Sequence, residues 1–460
     1  MTCILLVAAM AGLAQPAVRS GPAVLPQPDR DPLSTARKAD PVLALAHGNV
    51  PEGLFLPMMA DAVLRHPAVT EGRAGVEVAE ATQDEASSGF FPTIDLLATS
   101  QRSFAREFGN DPDNIVERSR SIGRTDVTAS VQQMLFDAGA TRNRVLAAGA
   151  RLRAASLQAE GAADHVALRA IAAWYDVFAY RALVSLSEAF VEGQRDLRRA
   201  LEMRVEQGVS APGDLPRVDS AIASASASLA GYRRQLANAQ ARFAELFGQP
   251  APADLGRAPA LGGAMTEDAA ALLARETPLV GAAEAEARAA RQEARAERAS
   301  TLPSLAAGLD AGKYGFDDVD YDVRGRLVLR QRLFGSGDAR ADRARALAGA
   351  AEARVSRIRS EAEREAATAW ADVEALGAQL AALEDAYIAS RRSRDVLAER
   401  FRVTRGTLFD VLDAEYGYFD VAATYIRGII ELDAARYVLL SRTGRLLPTL
   451  GIDIPKPEDR

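Results

Sequence analysis

The sequence predicts a mainly α-helical protein that carries a small β-sheet part. Its 460 residues are 48% hydrophobic but only 6% aromatic, a composition typical of long helices that pack closely through small side chains. Two stretches, 137–207 and 338–405, contain no proline over about 70 residues each, which corresponds to roughly 100 Å of helix. Each follows a pair of short segments in which apolar and polar residues alternate, as in strands. Such helix lengths are typical of a coiled coil or rod rather than of a globular domain.

The overall composition argues against several classes of protein. The formal net charge of −7 is mildly acidic, so we expect no nucleic-acid partner. The sequence has three histidines, one cysteine, no P-loop and no metal-spaced cluster, and therefore favours neither an enzyme nor a bound cofactor or metal.

The first 50 residues predict export. Residues 1–16 are typical of a secretory signal peptide, although they lack the basic residues that usually open one, which would place the true start upstream. Cys3 falls in this segment, so a mature chain would hold no disulfide. Residues 17–50 are rich in proline, glycine and alanine and predict a flexible leader. No later segment approaches the apolar run of about 18 residues that a transmembrane helix needs.

The chain contains an internal duplication. A shift of 196 to 198 positions superposes the only two tryptophans, Trp174 and Trp370. The same shift pairs Gly208 with Gly406, Asp214 with Asp410, and Gly248 with Gly444. We therefore divide the chain into a first repeat at 51–248, a linker at 249–266, a second repeat at 267–447 and a tail at 448–460.

Four segments are predicted to be strands: 89–100, 125–136, 301–314 and 321–334. In the last segment Val323, Leu327, Leu329 and Leu333 share one face, and Arg324, Arg326, Arg330 and Arg332 share the other. Strands of about ten residues, tilted by about 45°, match the thickness of an outer-membrane bilayer. A small soluble hairpin with a solvated arginine face is the alternative interpretation.

The stretch TRGTLFDVLDAEY, residues 404–416, sets two aspartates within an apolar frame. Asp410 and Asp413 are three residues apart and would share one face of a helix, where like charges repel each other. Helix capping by Asp410 is the simpler explanation, since a carboxylate is favourable in a first helical turn.

The doubled order of helix, strand pair, long helix, tip turn and returning helix resembles the TolC family of outer-membrane channel proteins. The resemblance covers nearly all of 54–447 and is specific in its order rather than in single motifs. The segments that carry it are HPAVTEGRAGVEVAEATQDEASSGFFPTIDL (66–96) with STLPSL (300–305), QQMLFDAGATRNRV (132–145) with RQRLFGSGDARADRAR (330–345), RVEQGVSAPGDLPRVDSA (204–221), FRVTRGTLFDVLDAEY (401–416) and ARYVLLSRTGRLL (435–447).

The resemblance implies a homotrimer in the bacterial outer membrane, with a tunnel that extends into the periplasm. Each chain would give four strands to a twelve-stranded β-barrel and long antiparallel helices to a coiled-coil barrel. Closure between chains would remove the unpaired edges of a four-stranded sheet. Strand parity would then place Arg324, Arg326, Arg330 and Arg332 in the barrel lumen and the opposite, apolar face against lipid.

The resemblance also implies roles for the two tips. Asp410 and Asp413 match the acidic positions that narrow the periplasmic end, where six carboxylates of a trimer would attract cations, hold divalent ions and raise one another's pKa. Arg405 is a candidate latch of a closed gate, with a solvated surface arginine as the alternative. The candidate contacts for a periplasmic adaptor are Gly208, Asp214, Leu215, Gly406, Thr407 and Leu408, although each glycine is also explained as a helix C-cap.

The expected function is a passive exit duct of a type I protein secretion system, served by a periplasmic adaptor and an inner-membrane ABC transporter. The tip sequence GVSAPGDL favours this interpretation over drug efflux with a proton-driven pump, which uses the same architecture. A soluble periplasmic adaptor would instead show one helical hairpin beside a lipoyl-like domain, and the sequence has no such domain.

Overall fold

The protein is described by a computed structural model that covers residues 25–29, 40–105, 107, 115, 122–315, 321–403 and 405–454. The predicted signal peptide with Cys3, much of the leader, Thr404 and the end of the tail lie outside these described residues. The chain divides into two compact units. The tip unit is built from residues up to 66, 163–271 and 365–453, and the sheet unit from 67–162 and 272–364.

The elements follow the duplicated order that the sequence predicts. The helices are α1 (Pro41–Ala44), α2 (Glu52–Arg65), α3 (Pro67–Ser88), α4 (Ala140–Glu206), α5 (Leu215–Phe247), α6 (Glu267–Ala274), α7 (Pro278–Ala299), α8 (Gly337–Arg402), α9 (Leu408–Arg442) and α10 (Leu446–Thr449). The strands are β1 (Thr93–Arg102), β2 (Gly123–Phe136), β3 (Ser304–Tyr314) and β4 (Tyr321–Arg330). In the described ranges, no helix combines the length and apolar character needed to cross a membrane.

The prediction of a mainly helical chain with a small β part is confirmed. Helices α4 and α8 are 67 and 66 residues long and nearly fill the two proline-free stretches. The Asp137 carboxylate caps α4, because it accepts the backbone amides of Gly139 at 3.0 Å and Thr141 at 2.6 Å.

The four strands form one antiparallel sheet in the order β1-β2-β3-β4. Strands β1 and β3 begin within the predicted segments, directly after Pro92 and Pro303, because proline has no amide to donate to a neighbouring strand. Strand β4 ends at Arg330, which lies opposite Ser304, the first residue of β3, so the neighbouring strand offers no partner further on. The predicted continuation to 334 was therefore wrong, and Arg332 and Leu333 lie outside the strand.

The sheet has one polar and one apolar face, because residues opposite each other in neighbouring strands share a face. Asp310 lies opposite Arg324 on one side and Ser130 on the other, whereas Leu309 lies opposite Val131. The polar face carries Asp95, Thr99, Gln101, Arg124, Asp126, Thr128, Ser130, Gln132, Asp310, Asp322, Arg324, Arg326 and Arg330, with Leu97 and Val328 as exceptions. The apolar face carries Ile94, Leu96, Ala98, Val127, Ala129, Val131, Leu305, Leu309, Val323, Leu327 and Leu329.

Helices of the sheet unit pack through small residues, as the alanine-rich composition predicts. A Cβ on Gly72 of α3 would lie 3.2 Å from the Cα of Ala159 in α4, so the two helices approach closely. Glutamates along α7 pair with arginines of its two neighbours: Glu293 with Arg151 of α4 at 3.1 Å, Glu286 with Arg354 of α8 at 3.1 Å, and Glu284 with Arg359 of α8 at 2.7 Å. These pairs are half exposed and contribute more to register than to stability.

The linker at 249–266 is held in the tip unit by both tryptophans. The indole N–H of Trp174 donates to the Gly256 carbonyl, and that of Trp370 donates to the Met265 carbonyl, each at 2.9 Å. The superposition of these residues in the duplication thus corresponds to the same use of the side chain. The linker is thus fixed to the long helices near its middle and at its end.

Between these two anchors, Arg257 makes a buried ion pair with Asp433 of α9. Two guanidinium nitrogens lie 2.5 and 2.7 Å from the two carboxylate oxygens, and Arg257 also donates to the Ala46 carbonyl. Burial alone would lower the pKa of the Arg257 guanidinium, but the hydrogen bonds and charge of Asp433 raise it. The Tyr175 hydroxyl donates to the same carboxylate at 3.1 Å.

The leader is partly ordered, which corrects the prediction of a wholly flexible segment. Asp40 is buried in the tip unit and caps α1 through the Val42 and Leu43 amides. The same carboxylate accepts the Tyr387 hydroxyl at 2.9 Å and pairs with Arg391 at 2.5 Å. The proline and glycine content concealed these polar contacts, because composition reports local flexibility and not a distant partner.

Replacing Asp433 with alanine should strongly destabilise the protein. The change leaves the Arg257 charge buried without a carboxylate, which costs about 3–5 kcal/mol. Thermal unfolding followed by circular dichroism should show a clear fall in the midpoint, and Arg257→Met/Asp433→Leu should recover most of it. The control is Glu188→Ala, which breaks the exposed 2.7 Å pair with Arg233 and should cost no more than about 1 kcal/mol. Equal shifts for Asp433→Ala and the control would contradict this assignment.

Candidate functional site

The ends of four helices meet in a small apolar core, here called the tip core. Its fully buried members come from α4, α5, α8 and α9 and are Leu201, Val218, Ala221, Phe401, Leu408, Val411 and Leu412. Leu215 packs against it from the start of α5. Two of the predicted adaptor-contact residues, Leu408 and Leu215, therefore point inward. Leu408 is only 6% exposed, so its side chain is not a surface contact of the described chain.

The first tip turn follows α4 and is closed by Gly208. This glycine has φ +73°, and its amide donates to the Val205 carbonyl at 3.0 Å while the Val209 amide donates to the Arg204 carbonyl at 2.8 Å. These two bonds form a Schellman motif, which favours glycine because the left-handed conformation strains other residues. The C-cap alternative for Gly208 thus describes its local role. A short 3₁₀ turn, Pro212–Asp214, then leads into α5.

The second tip turn is closed differently. The Arg405 amide donates to the Arg400 carbonyl at 2.8 Å, the same bond as that from Val209 to Arg204 and 196 positions away. The two turns share this bond, but Gly406 does not have the positive φ of Gly208. Gly406 instead meets close packing, since a Cβ there would lie 3.1 Å from the Phe401 nitrogen. The two glycines that the duplication pairs, Gly208 and Gly406, therefore have different backbone roles.

Thr407 and Asp410 begin α9 with a reciprocal capping box. The Thr407 hydroxyl accepts the Asp410 amide at 3.2 Å, and the Asp410 carboxylate accepts the Thr407 amide at 3.2 Å and its hydroxyl at 2.8 Å. These bonds from the Thr407 side chain and backbone lower the pKa of Asp410. In the described chain this is the opposite of the rise expected from crowded carboxylates.

Both predicted gate carboxylates are exposed. Asp410 and Asp413 project from the first turns of α9, while Val411 and Leu412 turn into the tip core. Helical periodicity explains the separation, because Leu408, Val411 and Leu412 face the core, whereas Phe409 and the two aspartates face away from it. Arg405, the candidate latch, is also exposed.

Two arginines of the first repeat hold phenylalanines of the second repeat at the tip. Arg204 donates to the Phe401 carbonyl at 2.6 Å, and its guanidinium lies 4.4 Å from the centre of the Phe401 ring. Arg217 lies 3.7 Å above the exposed ring of Phe409. Sequence inspection missed these pairs. A basic residue in the last turn of a helix was the available signal, but it does not identify a partner about 200 positions away.

A second feature that the sequence did not indicate is a buried charge cluster where α8 and α9 pack together. Arg394 lies 2.7 Å from Asp395 and 3.4 Å from Glu415, and it donates to the Pro26 carbonyl at 2.8 Å. Burial raises the pKa of both carboxyls, Asp395 and Glu415, and the Arg394 charge opposes that rise. The cluster joins α8 and α9 to Pro26 of the leader.

The arrangement can attract cations to the start of α9, and nothing in it resembles a catalytic centre. In the part of the chain that the structure describes, no group of three or more histidine, cysteine, aspartate or glutamate side chains could hold a metal ion. The polar face of the sheet supplies a second set of charges, Arg324, Arg326 and Arg330, on one wall.

Comparison with solved structures identifies the class of fold. The chain is similar to the outer-membrane channel OprN (TM-score 0.74, 20% identity, 85% of this chain and 89% of that one). It is equally similar to the outer membrane protein VceC from Vibrio cholerae (TM-score 0.74, 19% identity, 85% of this chain and 96% of VceC). For the open-state channel MtrE of Neisseria gonorrhoeae the TM-score is 0.70 at 18% identity, and the match covers 85% of this chain and 89% of MtrE. The fold is that of trimeric outer-membrane channels with a helical barrel and a β-barrel.

Sequence comparison then relates the chain to one family of proteins. Residues 58–249 match the family model described as outer membrane efflux protein. The outer membrane efflux protein BepC of Brucella suis biovar 1 (strain 1330) is 24% identical over 409 residues, which cover 85% of this chain and 86% of BepC. The first repeat of the chain thus matches the outer membrane efflux protein family, and most of the chain is similar to BepC and has the fold of solved outer-membrane channels. Its relatives are channels rather than enzymes.

Replacing Thr407 with alanine should loosen the start of α9. Loss of an N-cap costs about 1 kcal/mol, which should raise amide hydrogen exchange in the first turn about fivefold. Because the pKa of Asp410 is lowered in the folded chain, the cap stabilises α9 at neutral pH and is lost as pH falls through that pKa. The variant should lack this pH dependence.

Exchange should be measured by mass spectrometry on peptides that span 405–416. Asp413→Asn is the matched control, because it removes a neighbouring exposed charge and leaves the capping box intact. Wild-type exchange rates in Thr407→Ala would show that the cap does not stabilise the turn.

Proposed function

We propose that three copies of this chain form a passive exit duct through which a tripartite efflux assembly discharges small molecules across the outer membrane. The observation that carries the proposal is the uncovered apolar face of the four-stranded sheet. Ile94 and Leu327, in the two edge strands, are 73% and 72% exposed. Lipid contact would cover this face, and pairing of β1 with β4 of a neighbouring chain would satisfy both edges.

The polar face would then form the wall of the barrel lumen, with Arg324, Arg326 and Arg330 on it. Its charges are largely balanced within the chain, since Arg326 lies 3.4 Å from Asp310, Arg124 lies 2.6 Å from Asp126, and Arg324 pairs with Asp322. A wall of paired charges retains neither cations nor anions strongly. Such a lumen suits a duct that passes varied cargo.

Asp410 and Asp413 would form the constriction at the periplasmic end. Their exposure at the start of α9 leaves both carboxylates free to face a shared axis in a trimer. Six carboxylates around one axis attract cations and bind hard divalent ions through oxygen. The two roles of Asp410 are compatible, because the cap uses one oxygen and leaves the charge in place.

The adaptor would meet the two tip turns, at Gly208, Asp214, Gly406 and Thr407. Buried Leu408, and Leu215 packed against the tip core, would support this surface from within the chain. Val209, beside Gly208, is exposed and offers an apolar contact that the sequence did not single out. An inner-membrane transporter, either an ABC protein or a proton-driven pump, would supply the energy.

Small-molecule efflux is preferred over type I secretion because the relative that matches most of the chain is named an efflux protein. Protein secretion remains the second candidate, on the first-tip sequence GVSAPGDL. Both cargoes fit the same duct, since the transporter selects the substrate.

Planar-bilayer recording separates the charge of the tip from its capping. Wild-type trimer should give a small, cation-selective conductance that divalent ions block from the periplasmic side. Asp413→Asn, which changes charge only, should weaken both cation selectivity and block, and Asp410→Ala/Asp413→Ala should abolish the block. Thr407→Ala, which changes the cap only, should keep the selectivity. Unchanged selectivity and block in the double variant would place the constriction elsewhere.

The cargo can be tested in the protein's own host. Deletion of the gene should raise the intracellular accumulation of fluorescent small-molecule dyes, and re-expression of the wild-type chain should reverse it. The secreted proteins, compared by mass spectrometry, should be unchanged. Loss of a large secreted protein with normal dye accumulation would instead support type I secretion.

A further inference from the structure

Two glycines on the polar face of β3 lie among much larger neighbours. Gly308 is flanked in its row by Gln132 and Arg326, and Gly312 by Thr128 and Asp322. Glycine weakens a strand, because it loses more backbone entropy on folding than other residues and has no side chain to pack. Its presence inside a strand often marks the close approach of another group.

At Gly308 that group is the side chain of Arg326. A Cβ on Gly308 would lie 2.9 Å from Nε and 3.2 Å from Cγ of Arg326, distances that real Cβ atoms rarely adopt. The side chain of Arg326, which belongs to β4, therefore crosses over Gly308 of β3. Its Nε lies 3.4 Å from the carboxylate of Asp310, which is two residues after Gly308 in β3. The guanidinium lies flat along the sheet instead of projecting from it.

At Gly312 the group is the ring of Tyr314. A Cβ on Gly312 would lie 2.8 Å from both Cζ and Oη of Tyr314, so the ring folds back over the glycine. The Arg124 guanidinium stacks 5.0 Å from the centre of that ring and is held by Asp126 at 2.6 Å. Two long side chains thus lie flat on the same face of one strand, each above a glycine.

We infer that Gly308 and Gly312 set the calibre and the charge of the barrel lumen by letting Arg326 and Tyr314 lie flat against its wall. The inference rests on the proposed function, because it takes the polar face to be the channel wall. Any side chain at Gly308 would lift Arg326 away from the sheet, and in a trimer three guanidinium groups would move toward the axis together. The lumen would become narrower and more attractive to anions.

The test compares Gly308→Ala with Gly325→Ala. Gly325 lies in β4 beside Arg326 but on the apolar face, and a Cβ there would meet nothing within 4 Å. Both variants therefore add one methyl group to the same strand pair. The probe is poly(ethylene glycol) of graded size, added only on the side of the β1–β2 and β3–β4 hairpin turns, during single-channel recording of trimers verified by light scattering.

We expect Gly308→Ala to exclude the largest polymer that enters the wild-type lumen and to shift the reversal potential toward anions. Gly325→Ala should behave as wild type, and Gly308→Ala/Arg326→Ala should readmit the polymer. Gly312→Ala should narrow the lumen independently, through Tyr314. Arg326→Ala alone should leave polymer entry unchanged, because an arginine that lies flat takes little of the lumen, so this variant tests the inference even if Gly308→Ala does not assemble.

Wild-type polymer entry in Gly308→Ala would overturn the inference, as would a narrowing that persists when Arg326 is also removed. A wider lumen in Arg326→Ala alone would show that the arginine already projects, and would overturn it too. If folded wild-type trimers form no channels, that result contradicts the proposed function and, with it, this inference. Wild-type channels that are insensitive to both glycine variants would refute the inference alone.

Discussion

The buried ion pair between Arg257 and Asp433 is the interaction on which the tip unit most depends. Arg257 lies in the linker between the repeats, and Asp433 lies on the last long helix, so the pair joins the middle of the chain to its end. Both side chains are almost fully excluded from water, at 7% and 3% exposure. A charge buried this deeply is tolerated only with a partner and full hydrogen bonding, and here Tyr175, Arg436 and the Ala46 carbonyl supply the further hydrogen bonds. Because all of these groups must be present together, the linker has one position relative to the helices of its unit.

The duplicated tryptophans extend that constraint along the linker. Trp174 is fully buried and Trp370 is partly buried, and each uses its single N–H donor on a linker carbonyl, so that packing and backbone hydrogen bonding come from the same residue. The leader adds a further connection, in which Asp40 reaches Tyr387 and Arg391 on α8, and the Tyr387 and Tyr418 hydroxyls lie 2.8 Å apart across α8 and α9. The linker and the leader, which have low helical propensity, thus contact the long helices of the second repeat at several positions along their length. Polar contacts from irregular segments hold the regular ones in register.

At the tip and in the sheet, single residues combine two requirements. Asp410 accepts the amide and hydroxyl of Thr407, the residue that caps α9, and keeps its charge exposed, so the same carboxylate can serve helix initiation and the proposed constriction. Gly406 and Gly208 are both glycines of tip turns, yet one permits close packing and the other a left-handed backbone. On the sheet, the alternation of side chains along each strand separates an apolar face from a polar face. Glycines on the polar face leave room for long neighbouring side chains to lie across them. In each case local geometry decides how a residue type is used.

Much of the architecture was predictable because it follows from periodicity and chain chemistry. The proline-free stretches specified α4 and α8 to within a few residues, and period-two alternation specified both faces of the sheet, since these patterns act over neighbouring positions. The frame of Leu408, Val411 and Leu412 around exposed aspartates was also readable from the sequence. The end of β4 was not, because it depends on where the partner strand begins. Nor were the Arg204–Phe401 and Arg257–Asp433 pairs, the ordered leader, or the flat position of Arg326 over Gly308. Those contacts join residues distant in the chain, and only the packing of the folded chain brings them within hydrogen-bonding or van der Waals distance.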